Sequence, residues 1–233
     1  MTLIRIEPRG ETTVVFFDHP PANAFNLEFT EAFHACVDVL AARLPAGGVV
    51  ISGAGRTFSG GVDFKAVPGY TSEQRLRMIG HINAAITALY GLPTATVAAV
   101  NGHAIGGAFV VMLGCDVRLA ADTDAKLGLT EVTAGIPYPA CPMEIVKAEI
   151  EPSYRRHLVL TGDVINPRTA HARGLIDELV APEDLLPRAI ELARTRAAAP
   201  SYARVKAQLR ADTLARMHAI MAAASDPMLQ RWV

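Results

Sequence analysis

The sequence predicts an α/β fold, in which short buried strands alternate with helices, followed by a helical C-terminal region. Short runs rich in β-branched residues end at turn signals, which is typical of buried strands. Between these runs, apolar residues recur at helical spacing. Beyond residue 160 the pattern becomes mostly helical. We therefore predict a repeating β/α core over residues 1–190 and a helical region over residues 191–233.

The first half of the chain contains three strand patterns and two helix patterns. The predicted strands are "TTVVFFD" (12–18), "GVVISG" (48–53) and "ATVAAVNG" (95–102). A helix with Asn26 as its cap is expected between the first two strands. A second helix is expected from Ser72 to Tyr90, with Gly91 ending it.

The second half repeats this alternation before it becomes helical. "AIGGAFVVMLG" (104–114) predicts a buried helix, and "CDVRLAA" (115–121) predicts the strand that follows it. A short helix is expected to begin at Asn166 and to stop at Gly174, ahead of a strand at "IDELV" (176–180). Two helices rich in alanine and arginine complete the predicted fold.

Composition and charge exclude several classes of partner. Lys and Arg total 22 against 23 Asp and Glu, so the net charge of −1 provides no basic surface for nucleic acid or an anionic membrane. The three cysteines lack metal-ligand spacing, which argues against a zinc site and against structural disulfides. The charged N-terminus "MTLIRIEPRGE" does not resemble a signal peptide. We expect a cytoplasmic protein with no metal and no nucleic-acid or membrane partner.

Two glycine turns are the first candidates for a functional site. "TFSGGVDFK" (57–65) and "NGHAIGGAFVV" (101–111) each leave the backbone bare where a strand ends. The amides at a helix start have no intrahelical partner and lie at the positive end of the helix dipole. One N–H from each turn, converging on one oxygen, would form an oxyanion hole. Taken alone, each turn is also compatible with a structural role for glycine.

A lone carboxylate is the third candidate feature. In "KLGLTEVTAGIPYPACP" (126–142), Glu131 is the only acidic residue. The proline-rich wall that follows it, including Tyr138, is mostly apolar. A carboxyl beside such a wall can have a raised pKa and exchange protons near neutrality. The alternative is a glutamate that helps to cap its own helix.

These stretches, in this order, resemble the crotonase superfamily of enoyl-CoA hydratases and isomerases. "GAGRTFSGGVDFKAV", "AAVNGHAIGGAFVVMLGCDVRLAA", "AKLGLTEVTAGIPYPA" and "LVLTGDVINPRTAHARGLIDELV" are similar to four of its ordered motifs, across residues 12–185. The resemblance implies a crotonase-like ββα spiral core with a C-terminal helical trimerisation region. It also implies a homotrimer or a hexamer built as a dimer of trimers. The last family helix is expected to be short or missing.

The resemblance assigns roles residue by residue. The oxyanion donors would be the N–H groups of Val62 and Gly107, with Glu131 as the catalytic acid and base, whereas Asp63 matches a mainly structural position. A coenzyme A thioester would be the substrate, with no permanently bound cofactor. Its coenzyme A part would lie along Asn23, Ala24, Phe25, Ser59, Gly60, Gly61 and Lys65.

Three positions depart from the family pattern. Val110 stands where the hydratases carry a second glutamate, Ala108 replaces a third glycine, and Thr130 replaces a proline. Hydration normally uses two carboxylates, whereas moving a double bond needs one group that shuttles a proton. A single Glu131 therefore favours Δ3-Δ2 isomerisation, or weak hydration, of an enoyl-CoA.

Several alternatives remain open at the level of sequence. The chain could be a non-catalytic acyl-CoA-binding member, another crotonase-type lyase or hydrolase acting on a CoA thioester, or, less simply, an RNA-binding member. Glu144 could supply a second carboxylate or be an exposed helix residue near Lys147. His103 could act as a base or pack its ring against a neighbour, and Cys141 could line the acyl pocket or pack in the core.

Overall fold

A computed structural model describes residues 3–231, with the side chains of residues 230 and 231 left out of the description. Every strand within that range is short, with between two and six residues. The strands are β1 Ile4–Arg9, β2 Thr12–Phe17, β3 Val49–Gly53, β4 Thr57–Ser59, β5 Thr96–Val100, β6 His103–Ile105, β7 Val117–Ala121, β8 Leu127–Gly128, β9 Val164–Ile165 and β10 Glu178–Val180.

The helices vary more in length, from one turn to 21 residues. They are α1 Leu27–Ala42, α2 Ser72–Gly91, α3 Gly107–Gly114, α4 Glu131–Ala134, α5 Ala140–Glu149, α6 Pro152–Thr161, α7 Pro167–Ala172, α8 Leu185–Ala197, α9 Tyr202–Ala222 and α10 Met228–Arg231. These bounds reproduce the predicted helices at residues 26–44, 72–90 and 166–174 to within a few residues.

The described strands form two sheets. The larger has the order β1-β2-β3-β5-β7-β10, in which β1 and β2 are antiparallel and all further neighbours are parallel. The smaller has the order β4-β6-β8-β9. Along the chain, β3-β4-α2 and β5-β6-α3 each give one strand to each sheet and then a helix. This repeat confirms the predicted α/β class and its ββα spiral.

The two faces of the large sheet are buried by different helices. On one face α1, α2, α3 and α5 enclose the main core, which includes Phe17, Phe29 and Phe109. On the other face Leu185 and Ala189 of α8 join a smaller core with the valines of β2, β3 and β5. Since both faces are covered, the central strands are apolar throughout rather than alternating, as parallel strands usually are.

Capping side chains fix where the long helices begin. Asn26 accepts a hydrogen bond from the Phe29 N–H, as its predicted cap position requires. At the start of α2, Thr71 and Gln74 form a reciprocal capping box. The predicted start at Ser72 was therefore correct, and the cap itself is the preceding threonine.

The C-terminal helices are tied to the core rather than set apart from it. On α9, Lys206 and Arg210 are buried and both form ion pairs with Asp116, at 2.9 Å each. The predicted division at residue 190 stays a prediction, and it falls inside α8, which packs on the large sheet. Across the described part of the chain, no helix has the length and apolarity that crossing a bilayer requires.

Candidate active site

The two glycine turns lie side by side because β4 and β6 are parallel neighbours. Each turn continues from the same end of its strand, so both reach the same edge of the small sheet. Gly61 has a φ of 77°, and a Cβ there would stand 2.5 Å from the Ile105 carbonyl oxygen. A side chain at this position has no room. The contact between the two turns therefore depends on glycine.

Each turn leaves at least one amide free. Phe25 bridges the first turn, since its N–H donates to the Gly61 carbonyl and its carbonyl accepts from the Asp63 N–H. The Val62 N–H between them takes no part in this bridge. Gly107 is the first residue of α3, where an amide has no intrahelical acceptor. Among residues 3–231, neither the Val62 N–H nor the Gly107 N–H donates to a protein acceptor.

Two of the residues predicted to bind coenzyme A hold the first turn in shape. The Ser59 hydroxyl donates to the Asn23 carbonyl at 2.7 Å and accepts from the Gly61 N–H at 3.1 Å. The Asn23 side chain donates to the Thr57 carbonyl at 2.8 Å and accepts from the His19 N–H at 2.9 Å. Both side chains are buried, so any contact with coenzyme A here would go through the backbone.

The other predicted coenzyme A residues occupy different surroundings. Phe25 is buried, and a Cβ on Gly107 would stand 3.2 Å from its ring, so a side chain at Gly107 would press against that ring. Gly60 and Gly61 line the cavity beside the turns. Lys65 is exposed, on the same loop, and the Ala24 carbonyl accepts from the His19 ring. Coenzyme A binding by these residues stays a prediction.

Glu131 is the ionisable group that faces the turns. It is the first residue of α4 and only 7% exposed. A Cβ on Gly106 would stand 3.2 Å from its Oε1, so the carboxyl lies against the second turn. Burial raises the pKa of Glu131 to about 7, although its own backbone N–H and the Tyr138 hydroxyl partly oppose the shift. A carboxyl with this pKa can both take and give a proton near neutral pH.

Two adjoining cavities bring the predicted catalytic groups together. The cavities share Val62, Gly107, Glu131 and Ile136. One also touches Gly60, Gly61 and Thr130. The other is apolar, and its remaining lining comes from Phe25, Ile79, Ile82, Pro139, Pro142 and Met228. Of the described residues that line them, Glu131 is the only ionisable one, so no cation lies there to stabilise its charged form.

Glu144 does not join this site. It lies on α5, is 7% exposed, and lines neither cavity. Its Oε1 accepts from Lys147 at 2.7 Å and its Oε2 from Arg216 at 2.6 Å. Both sequence alternatives for Glu144 were therefore wrong, because the residue is neither a second active-site carboxylate nor exposed. Val110, at the position of the absent second glutamate, is fully buried in α3.

His103 and Cys141 also lie outside the two cavities. His103 is exposed, and its Nδ1 accepts from the Lys126 N–H at 2.9 Å. It therefore does not line the cavities that contain Glu131, and its ring is hydrogen-bonded at the surface. Cys141 is fully buried, and its Sγ donates to the Met217 carbonyl at 3.6 Å. Burial raises the pKa of this thiol to about 11, which suits a packing residue.

Sequence reasoning missed two residues at the site. Tyr138 was grouped with the proline wall, but its hydroxyl is buried beside Glu131. Met228 closes the apolar cavity because Asp226 holds the C-terminal segment in place. The Asp226 carboxylate also accepts from Asn83 on α2 and from the Ala140 N–H. The sequence around residues 226–228 contains no local pattern that predicts this contact.

A ββα spiral with paired free amides and one buried glutamate defines a crotonase-fold protein. The sequence model described as Enoyl-CoA hydratase/isomerase matches residues 9–231. The chain therefore belongs to the enoyl-CoA hydratase/isomerase family, which confirms the resemblance seen in its motifs.

Individual relatives cover both activities in the family name. A crotonyl-CoA hydratase of Syntrophomonas wolfei is 32% identical over 197 residues, which is 82% of this chain and 74% of the relative. The solved structure of human mitochondrial Δ3-Δ2-enoyl-CoA isomerase has a TM-score of 0.86 and 27% identity, covering 95% of this chain and 88% of that one. An enoyl-CoA hydratase of Mycobacterium ulcerans has a TM-score of 0.86 and 26% identity, covering 94% and 96%.

Proposed function

We propose that the protein acts on an enoyl-CoA thioester and uses Glu131 as its single acid and base. The thioester oxygen accepts from the Val62 and Gly107 N–H groups, which stabilise the negative charge of an enolate. The single observation that carries this proposal is the shared cavity in which both free amides lie beside the buried, unpaired Glu131 carboxyl.

A Δ3-Δ2 isomerisation fits this arrangement better than hydration. Glu131 removes a proton from C2, the electron pair is held as the enolate, and the same carboxyl returns the proton at C4. The double bond moves and no atom is gained or lost. Efficient hydration normally uses a second group to activate water, and Val110 offers none. The raised pKa of Glu131, about 7, supports a residue that both takes and gives a proton.

The similarity to a human isomerase and to a bacterial crotonyl-CoA hydratase supports this choice of substrate class. The coenzyme A part is proposed to follow the first turn, from Ala24 past Gly60 to the exposed Lys65. The acyl part enters the apolar cavity that Met228 closes. No step in this scheme needs a further cofactor.

We also propose assembly as a homotrimer or as a dimer of trimers, in the cytoplasm. Val205 and Leu209 lie one turn apart on α9 and are 57% and 82% exposed, and such apolar surface favours a subunit contact. The cysteines of the described chain are all unpaired, which suits a reducing compartment. Sedimentation of the purified protein measures its state of assembly.

Turnover measurements on two substrates test the proposed reaction. We expect the protein to convert a 3-enoyl-CoA to the 2-enoyl-CoA faster than it hydrates crotonyl-CoA, and Glu131→Gln to abolish the conversion. Fast crotonyl-CoA hydration that Glu131→Gln leaves unchanged would refute the one-acid mechanism. Coenzyme A binding without turnover of either substrate would instead identify a non-catalytic acyl-CoA-binding protein.

A further inference from the structure

Two buried polar atoms of the site have no hydrogen-bond partner among the described residues. They are Oε2 of Glu131 and the hydroxyl oxygen of Tyr138. A buried polar atom is normally hydrogen-bonded, and an exception calls for an explanation. Tyr138 packs its ring against the main core, so the hydroxyl does not turn outward to water.

The two side chains are close enough to influence each other. The Tyr138 hydroxyl lowers the pKa of Glu131, and after burial the Glu131 charge is the next largest cause that raises the pKa of Tyr138. Their positions nonetheless fall outside hydrogen-bonding distance and angle. Catalytic hydrogen bonds are often long in enzymes without substrate, and they shorten when substrate binds.

The two oxygens of Glu131 have different surroundings. Oε1 lies against the second turn, 3.2 Å from the Cβ position of Gly106. Oε2 is fully buried and has no hydrogen-bond partner among the described residues. The Ile136 N–H donates to the Glu131 carbonyl at 3.1 Å, and Pro137 and Pro139 flank the tyrosine and restrict its backbone. Tyr138 lines neither of the two cavities that Val62 and Gly107 share with Glu131.

We infer that Tyr138 is a positioning residue for Glu131, whose hydroxyl donates a hydrogen bond to Oε2 while Oε1 exchanges the substrate proton. This inference rests on the proposed acid and base role of Glu131. A hydrogen bond to one oxygen keeps the carboxyl in a single orientation while the proton moves between C2 and C4. A carboxylate hydrogen-bonded in its charged form is also a base at lower pH than an unbonded one.

The variant Tyr138→Phe tests this role because it removes only the hydroxyl. We expect the acidic limb of kcat/KM against pH to move to higher pH, since Glu131 loses a donor to its charged form. At pH values on the acidic limb, kcat/KM falls about tenfold below that of the wild type. At higher pH the loss becomes smaller, and KM is unchanged. Tyr154→Phe on α6 is the matched control, and its profile is expected to coincide with that of the wild type.

Three results would overturn the inference. They are an unmoved acidic limb, a fall in activity that is equal at every pH, and an equal shift in Tyr154→Phe. Glu131→Gln, measured in parallel, separates this failure from that of the proposed function. If Glu131→Gln is inactive while the Tyr138→Phe limb is unmoved, only the positioning role is lost. If Glu131→Gln stays active, the acid and base assignment itself is wrong.

An infrared titration provides a readout that does not need turnover. The carbonyl-stretch band of the protonated Glu131 carboxyl is identified by its absence in Glu131→Gln. With butyryl-CoA present, which has no double bond to move, we expect this band to persist to higher pH in Tyr138→Phe than in the wild type. Identical titrations in the two proteins would overturn the hydrogen bond.

Discussion

Glu131 and Glu144 are buried to the same extent, 7% exposed each, yet their surroundings differ completely. Glu144 has a hydrogen-bonded cation on each oxygen, from Lys147 and Arg216. Glu131 has no cation among the described residues of its cavities and one oxygen without any partner. Burial raises the pKa of both, but the two cations of Glu144 reverse the shift and lower its pKa.

The difference separates a carboxyl held in ion pairs from the carboxyl proposed as the acid and base. An ion pair that joins α5 to α9 stabilises the charged form and withholds it from proton exchange. A carboxyl that is desolvated without a partner costs the fold free energy and keeps a pKa near neutrality. Burial alone, or the presence of an acid alone, would not have told these two glutamates apart.

The sharpest test of the comparison is activity. Glu131→Gln is expected to lower kcat/KM on a 3-enoyl-CoA by about 10²- to 10⁴-fold, because the acid and base is lost while its shape is kept. Glu144→Gln, the matched control, is expected to change kcat/KM by less than about twofold, because Glu144 lines neither cavity. Comparable losses in both variants would show that the contrast carries no functional meaning.

Adding a methyl group beside Glu131 should have the next largest effect. Gly106 has φ 57° and ψ −123°, and a Cβ there would stand 3.2 Å from Oε1, so Gly106→Ala strains the backbone and moves the carboxyl. We expect kcat/KM to fall about 10²-fold, as for a misplaced catalytic group.

The control for Gly106→Ala is Gly10→Ala. Gly10 also has a positive φ, 63°, but no heavy atom lies within 4 Å of its Cβ position. Circular dichroism and kcat/KM are measured for both variants. We expect Gly10→Ala to lose stability through the backbone alone, about 1–2 kcal/mol, and to keep full activity. Full activity in Gly106→Ala would contradict the placement of Glu131 against this turn.

The two glutamates should change the pH dependence of the free energy of unfolding in opposite directions. The folded pKa of Glu131, about 7, exceeds its ordinary value of 4.5. The stability that depends on its protonated form is therefore fully present below pH 4.5 and is lost as the pH rises through 7. Glu131→Gln should therefore gain stability over the wild type between pH 5 and 8, by up to about 3 kcal/mol.

Glu144 should behave in the opposite way. Its pKa in the folded protein is lowered. The stability that depends on its charged form is therefore fully present above pH 4.5 and is lost as the pH falls through that lowered pKa. Urea unfolding at pH 8 should thus find Glu144→Gln less stable than the wild type and Glu131→Gln more stable. If both variants fall on the same side of the wild type, the assigned surroundings are incorrect.

The smallest expected effect concerns the cation that pairs with Glu144. The Arg216 side chain is 53% exposed, so solvent screens its pairing and Arg216→Met should cost at most about 1 kcal/mol. The loss should shrink when unfolding is measured at high salt. Activity should not change. A large loss that salt does not affect would indicate that packing of Arg216, rather than its charge, matters.

Local signals in the sequence were enough for the parts of the fold that neighbouring residues determine. The cap at Asn26, the stop after residue 90 and the helix start at Asn166 each depend on a few adjacent residues, and all three agree with the structure. The strands β4 and β6 were not predicted, because three residues next to glycines carry no periodicity. Their pairing is a tertiary contact.

The candidate site shows the same division. Glu131 and the two turns stand out as motifs, whereas the surroundings of Glu144 depend on Arg216, 72 residues further along the chain. Sequence spacing gave the nearby Lys147 but could not give the second cation, and so Glu144 was expected to be exposed. The buried hydroxyl of Tyr138 was missed for the same reason, since which way a side chain faces depends on the packing around it.

The close contact between Gly61 and the Ile105 carbonyl has a consequence for how such a scaffold diversifies. The proposed oxyanion donors are main-chain atoms of the two turns that this contact joins, so replacing their own side chains does not delete them. The proposed acid and base, by contrast, is an ordinary side chain on a separate short helix. On this proposal, new reactions can arise by exchanging residues opposite the two turns, while the turns themselves stay unchanged.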